Sequence, residues 1–465
     1  MTKNLTEGRP LRLIIGFAIP MFLGMLFQQF YSMVDTVIVG KFLGVEQLAG
    51  VGATGPLNFM VIGFCTGLCS GFAIPVAQKF GAGEESEVRR YVANCMWLCI
   101  AFSAVLTIAV VALCRLILVA LNTPSNIFDY AYVYIVIIFA GIPCTILYNV
   151  LAAIIRSLGD SRTPVIFLAV SSGINIVLDL VFIVVFRMGV EGPALATVIS
   201  QGVSGVICLW YVREKFEILK MSREELRPRS SYMYKLCYMG IPMGLQYSVT
   251  AIGSLIIQSA INSFGSSAVA GVTAAQKISM FITCPVESLG ATMAPYSGQN
   301  MGAGKLERIK SGVIAASLCG FAASAVLFGV VALFGKQLPM LFLDEADEQV
   351  IGYAYQFLLT ASSGYCLLTL VNVVRFSIQG MGFSVFAVTS GVLEMCARGL
   401  AGTVLVSRIG FTAICMAHVM AWIFADTFLI PAFFYCYNKL KKRHDAEETA
   451  NKQVLCRRVA GAAAK

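Results

Sequence analysis

The chain has 465 residues, of which 58% are hydrophobic and only 13% charged, and its formal net charge is +9. A soluble domain is about a quarter charged, so this composition excludes an ordinary soluble enzyme and indicates an all-α, polytopic integral membrane protein. No Walker motif, GxSxG or HExxH stands in a fitting context, the fifteen cysteines are scattered singly, and His418 and His444 cannot build a metal site between them. Neither ATP hydrolysis, enzymatic catalysis, a metal nor an organic cofactor is expected.

Twelve apolar segments are long enough to cross a bilayer as helices, at roughly 11–40, 54–79, 92–115, 128–154, 165–187, 190–212, 235–262, 273–299, 311–335, 349–378, 384–407 and 411–438. The first is too long for a signal-peptide core, so no cleaved leader is expected. Pro20, Pro143, Pro242, Pro285 and Pro295 fall inside segments, where each removes a backbone hydrogen bond and marks a candidate bend.

The first segment contains "FYSMVDTVIVGKFLG", in which Asp35 is the sole carboxylate, with Tyr31 and Gln28 four and seven residues before it on the same helical face. The fourth offers Asn149, a polar candidate for a cavity wall. The fifth carries Asn175 and Asp179 one helical turn apart, and the sixth carries Thr197 shortly after its start. Counted from the connecting turns, Asp35, Asn175, Asp179 and Thr197 lie at a similar depth. A carboxylate in the bilayer core costs about 2.5–3.5 kcal/mol or more, so it faces the bundle interior or water. Two such acids near one another suit a shared proton, or a small cation when both are ionised. The alternative is a structural hydrogen bond, such as Asp179 holding Asn175.

A charged stretch, "REKFEILKMSREELRPRSSYMYK", interrupts the pattern near mid-chain. A shift of about 221 residues lays "FLGVEQLAGV" on "SFGSSAVAGV" and "AQKFGAG" on "GQNMGAG", and brings Gly159 to Gly380 and Gly189 to Gly410. Two six-helix pseudo-repeats of the same orientation follow, forming lobes around a central cavity. The expected division is an N-terminal lobe over 1–212, a cytoplasmic linker over 213–234, a C-terminal lobe over 235–438 and a cytoplasmic tail over 439–465 that reads as a disordered end. With the N-terminus placed in the cytoplasm, only Lys41, Arg115, Arg187, Lys336 and Arg408 of the loop and span-end basic residues fall outside. Both termini are therefore expected inside, and the net charge needs no nucleic acid.

The second half does not repeat the acids. Asn175, Asp179 and Thr197 meet Cys396, Leu400 and His418, and Asp35 meets Ile256 or Ile257. It carries instead Lys277 and Glu287 in the eighth segment, Arg375 in the tenth, and Glu394 with Arg398 in the eleventh. The last two are one turn apart and opposite in charge, which predicts a structural ion pair. Glu287, beside Pro285, is a candidate for the cavity wall or for a paired structural role.

With its twelve segments, two six-helix repeats, "GAG" segments and the quartet Asp35, Asn175, Asp179 and Thr197, the chain resembles the multidrug and toxic compound extrusion (MATE) family of antiporters. The resemblance covers nearly the whole chain. It implies that the quartet binds the coupling cation and that Pro20 lets the first helix bend. It also implies a cation-coupled efflux antiporter, driven by H+ or Na+, that exports organic and mostly cationic compounds by alternating access. A monomer in the cell membrane is expected. The same architecture is shared by flippases of lipid-linked substrates, an alternative that requires a strongly cationic cavity, and a non-transporting membrane scaffold is a remoter one. Family members with acids in the seventh and tenth segments have no counterpart here, which places the coupling cation in the first half.

Overall fold

The computed structural model describes the backbone of residues 4–121, 123–341 and 347–463, and the side chains up to residue 446 together with Thr449. Every regular element among them is helical, as a lipid environment requires of a chain that must satisfy its own backbone hydrogen bonds. The first half comprises α1 (Pro10–Phe42), α2 (Val45–Ala53), α3 (Gly55–Gly81), α4 (Glu85–Ala120), α5 (Ser125–Ala140), α6 (Ile142–Ser157), α7 (Arg162–Leu180) and α8 (Glu191–Lys215). The second comprises α9 (Ser230–Asn262), α10 (Ser266–Gly302), α11 (Leu306–Phe334), α12 (Glu348–Ser363), α13 (Tyr365–Gly380), α14 (Ser384–Leu400), α15 (Val406–Ile409) and α16 (Phe411–Ala463). Among the described residues, ten helices are long and apolar enough to span a membrane, and twelve spans result when the bent pairs α5–α6 and α12–α13 each count as one.

The two halves repeat element by element. α1 and α9 are both 33 residues long, α5, α6, α12 and α13 are 16 each, and α7 and α14 each run into a five-residue π turn, Val181–Val185 and Ala401–Leu405. The bent pairs kink by 48° and 51°. Pro143 starts α6, but Gly364 marks the second kink without any proline. The other expected bends are not breaks: α1, α9 and α10 run unbroken through Pro20, Pro242, Pro285 and Pro295.

Two details of the repeat differ from the sequence expectation. Gly159 and Gly382 share a positive φ, 88° and 95°, so Gly159 corresponds to Gly382 and not to Gly380. The π turns align Asp179 with Gly399 rather than Leu400. The register between the halves varies along the chain because both connections and helices differ in length, as the 19-residue α7 and the 17-residue α14 do.

Each half lends its first helix to the other. α1 packs between α7 and α10, and α9 packs between α14 and α3. The α3–α9 contact rests on a small-residue stripe, Gly63, Gly67 and Gly71, facing Gly240 and Gly244; a Cβ at Gly67 would stand 2.4 Å from the Met243 carbonyl oxygen. Without a hydrophobic drive in lipid, such close backbone approach supplies much of the association. Near the ends of α3 and α10 the two repeated "GAG" segments meet each other. Gly302 sits on the Gln78 backbone and Gly81 on the Gln299 backbone, where a Cβ would come within 1.7 Å and 2.0 Å of a carbonyl oxygen. The same two glutamines lock the crossing: Gln78 Nε2 donates to Gly380 O at 2.9 Å and Gln299 Nε2 to Ser157 O at 2.8 Å. The end of the bundle that holds this crossing is here termed the proximal face.

The segment between α8 and α9 is anchored along α4. Arg89 Nε donates to Glu225 Oε1 at 2.7 Å, Trp97 Nε1 to Leu226 O at 3.0 Å, and the Arg229 N–H to Asn94 Oδ1 at 2.8 Å. α16 continues as helix to Ala463, where the sequence reading expected a disordered end. The run DAEETANKQVLCRR is rich in Ala, Glu, Lys, Gln and Arg, all strong helix formers, so nothing stops the last span from extending.

Candidate functional site: a buried acidic pair beside a central cavity

Three helices bring the first-half polar residues together. Asp35 lies in the last two turns of α1, Asn175 and Asp179 in the last two of α7, and Thr197 in the second turn of α8. Asp179 stands just before the π turn, an irregularity that re-aims side chains and often marks functional sites. The Asp35 and Asp179 carboxyl groups lie close enough to interact electrostatically. Asp179 and Asn175 are buried, and Asn175 Nδ2 donates to Thr197 Oγ1 at 3.4 Å. One oxygen of Asp35, both oxygens of Asp179 and the Asn175 carbonyl oxygen are buried with no protein donor. Buried acceptors are ordinarily satisfied. A cluster made only of acceptor oxygens is suited chemically to a proton shared between the acids or to a small hard cation. Tyr31 and Tyr134 both lie beside the two carboxylates. Sequence reasoning missed Tyr134, because in the run "DYAYVYIV" it is indistinguishable from ordinary core; only the fold sets it beside Asp35 and Asp179.

A cavity of about 670 Å³ opens between the halves. Gln28, Tyr31, Asn149, Asn175, Thr197 and Glu287 line it, whereas Asp35 and Asp179 stand behind this wall. Pro20 immediately precedes Met21, the first α1 residue on the cavity wall, so a bend there would move the whole α1 side of the cavity. Glu287 accepts from Thr283 Oγ1 at 2.9 Å and makes no ion pair with any described residue. Lys277 is exposed and is not part of the wall.

The second half carries a buried charge cluster in place of an acidic pair. Glu394 accepts from Arg398 at 3.3 Å, as the spacing predicts, but also from Arg375, which in turn donates to Ser390 Oγ at 3.1 Å. The expected pair is thus a three-residue bridge joining α13 and α14, because α13 places Arg375 opposite Glu394 across the helix interface. Asp426 of α16, which the sequence reading passed over, is buried beside Arg375 and Glu394 with neither carboxylate oxygen hydrogen-bonded. His418 is wedged between Phe357 and Trp422.

The MatE family model matches residues 20–181 and 242–398, one match in each half. A probable multidrug resistance protein of Bacillus subtilis, YpnP, is 31% identical over 76% of this chain and 79% of its own length. The multidrug export protein MepA of Staphylococcus haemolyticus is 22% identical over 91% of this chain and 90% of its own. A solved structure described as the outward-facing conformation of a multidrug resistance MATE family transporter superposes with a TM-score of 0.87, at 23% identity, over 95% of this chain and 99% of that one. This likeness extends over the twelve spans and both halves described above. With each half matched separately and the relatives aligned over most of their lengths, the chain belongs to the MATE family of multidrug efflux transporters.

Proposed function

We propose that the protein exports organic compounds, chiefly cationic ones, in exchange for an inward-moving H+ or Na+, and that the exchange is coupled at Asp35 and Asp179 with Asn175 and Thr197 as neutral ligands. The observation that carries this reading is the convergence, from three helices, of buried acceptor oxygens that no protein group satisfies, directly behind a cavity wall. Occupation of the pair by a proton or cation removes the repulsion between the carboxylates. α1 then shifts relative to α7, with Pro20 as the bending point. Tyr31 and Gln28 lie on α1 between that point and Asp35, so the shift alters the substrate wall and lowers the affinity for cargo. A ligand moves such an equilibrium only as far as it binds the two states differently. A group that changes charge beside the wall meets that condition.

The protein is read as a monomer in the cell membrane with the proximal face and both termini in the cytoplasm, in keeping with the basic residues of the loops. The packed Gly81–Gly302 crossing supports a state closed at that face. The flippase alternative requires a strongly cationic cavity; Glu287 and Glu394 stand on the wall beside Arg156, Arg375 and Arg398, which weighs against one.

The test is a pH or sodium gradient imposed singly on liposomes containing the purified protein, with a fluorescent organic cation followed by its accumulation. Asp35→Asn and Asp179→Asn are expected to insert normally, since neutralising a buried acid removes a desolvation cost, and to abolish gradient-driven movement. Thr197→Ala is expected to reduce it less. Wild-type transport by either Asn variant would refute the coupling role of the pair.

A further inference from the structure

The loop-end position of Arg156 in the sequence suggests one more basic residue at the membrane surface, but the fold turns it inward. It is the penultimate residue of α6, at the proximal end of the cavity, and its side chain lines that cavity. Among the described residues its guanidinium makes no ion pair or hydrogen bond, and the titratable groups near it are Tyr148, Tyr247, Cys69 and Cys208, none of them a carboxylate. The other cavity arginines differ in this respect, because Arg375 and Arg398 are both engaged by Glu394. An unpaired guanidinium held away from lipid is costly in a bilayer and marks a functional position. Ser157 and Ser161 on the same part of the wall add hydroxyl groups.

The opposite charge lies further along the same cavity. Glu287 is also without a basic partner among the described residues, and Tyr247 stands within electrostatic reach of Glu287, Arg375 and Arg156. Ser157, next to Arg156, is level with Gln299 through their hydrogen bond. Glu287 is twelve residues before Gln299 on α10, so the free acid and the free base are separated by about 18 Å of helix axis, less the reach of their side chains. The cavity thus presents one unpaired negative group and one unpaired positive group at different depths.

We infer that Arg156 forms an anion subsite in this cavity and that the protein takes amphoteric substrates, with a cationic group toward Glu287 and a carboxylate toward Arg156. A guanidinium is suited to this task because its planar fork pairs with a carboxylate bidentately. The inference names the substrate class of the proposed efflux cavity and rests on that reading.

Two dyes separate the anion from everything else. Rhodamine 110 carries a free benzoate beside its cationic ring system, and rhodamine 123 is its methyl ester. Equilibrium binding of each to the full-length protein in detergent, followed by fluorescence anisotropy without any ion gradient, gives a ratio of affinities. One charge-assisted contact corresponds to about tenfold or more in affinity. The expected result is a preference of about tenfold or more for rhodamine 110, collapse of that ratio in Arg156→Gln, and retention of most of it in Arg156→Lys. Glu287→Gln is expected to weaken both dyes, since both carry the cation. Equal binding of the two dyes by the wild type, or a ratio unchanged in Arg156→Gln, would overturn the anion subsite and leave cation-coupled efflux standing. Binding of neither dye would likewise overturn the inference that this cavity takes an amphoteric substrate. Loss of coupling in the Asp35 and Asp179 variants is read separately, by gradient-driven transport.

Discussion

Replacing Gly302 with alanine adds a methyl group where the two halves cross. The new Cβ would lie 1.7 Å from the Gln78 carbonyl oxygen and 2.6 Å from its carbonyl carbon. Carbon and oxygen approach only to about 3.3 Å even in weak hydrogen bonds, so α3 and α10 must separate by more than an ångström, backbone against backbone. Overpacking of this kind costs about 1–3 kcal/mol. The separation also strains the Gln78 to Gly380 hydrogen bond of 2.9 Å, worth about 1 kcal/mol, for a total of roughly 2–4 kcal/mol. With an unfolding entropy of about 2 cal/mol/K per residue, a chain of 465 residues loses about 1 °C per kcal/mol. The midpoint of thermal unfolding in detergent, followed by loss of the monodisperse size-exclusion peak, is expected to fall by about 2–4 °C. Gly329→Ala is the control: a Cβ there meets nothing within 4 Å, so no decrease is expected. A Gly302→Ala protein that melts with the wild type, or a Gly329→Ala protein that falls equally, would refute the close-crossing argument.

Two further outcomes follow from the charges. Glu394→Gln leaves both Arg375 and Arg398 without their shared carboxylate in a buried cluster; breaking such a bridge costs about 3–5 kcal/mol. Reduced yield and a lower melting midpoint are expected, with partial recovery in Glu394→Gln/Arg398→Gln, and unchanged melting of the single variant would contradict the structural role. On the linker, the Ser222 backbone N–H, and then the Arg89 guanidinium, pull the Glu225 carboxyl down to about 2 from its ordinary 4.5. A carboxyl depressed in the folded state stabilises it above the unfolded value and loses that contribution as pH falls. Docking of the linker on α4 is therefore expected to weaken between pH 4.5 and 2. The emission of Trp97, which donates to Leu226 O at 3.0 Å, reports it, and the same shift in Glu225→Gln would refute Glu225 as its origin.

Much of this architecture is legible in the chain. Apolar segments of spanning length compel helices, because lipid offers no partner for an unpaired backbone group. Internal similarity of the "GAG" segments predicts a repeat, since like sequences fold alike. The depth of Asp35, Asn175, Asp179 and Thr197 can be counted from the turns because an α-helix rises by a constant amount per residue. What these segments do to each other is a different matter. The glycines of α3 read as gaps in an apolar run until α9 is laid on them. Arg375 reads as an isolated base until α13 sets it against Glu394, and Asp426 is invisible as a partner because it is distant in sequence. Arg156 reads as a loop charge until the end of α6 turns it into the cavity. Periodicity determines which face of a helix is polar, but only packing decides what that face meets, since contacts between spans depend on helix rotation and crossing that no local pattern encodes.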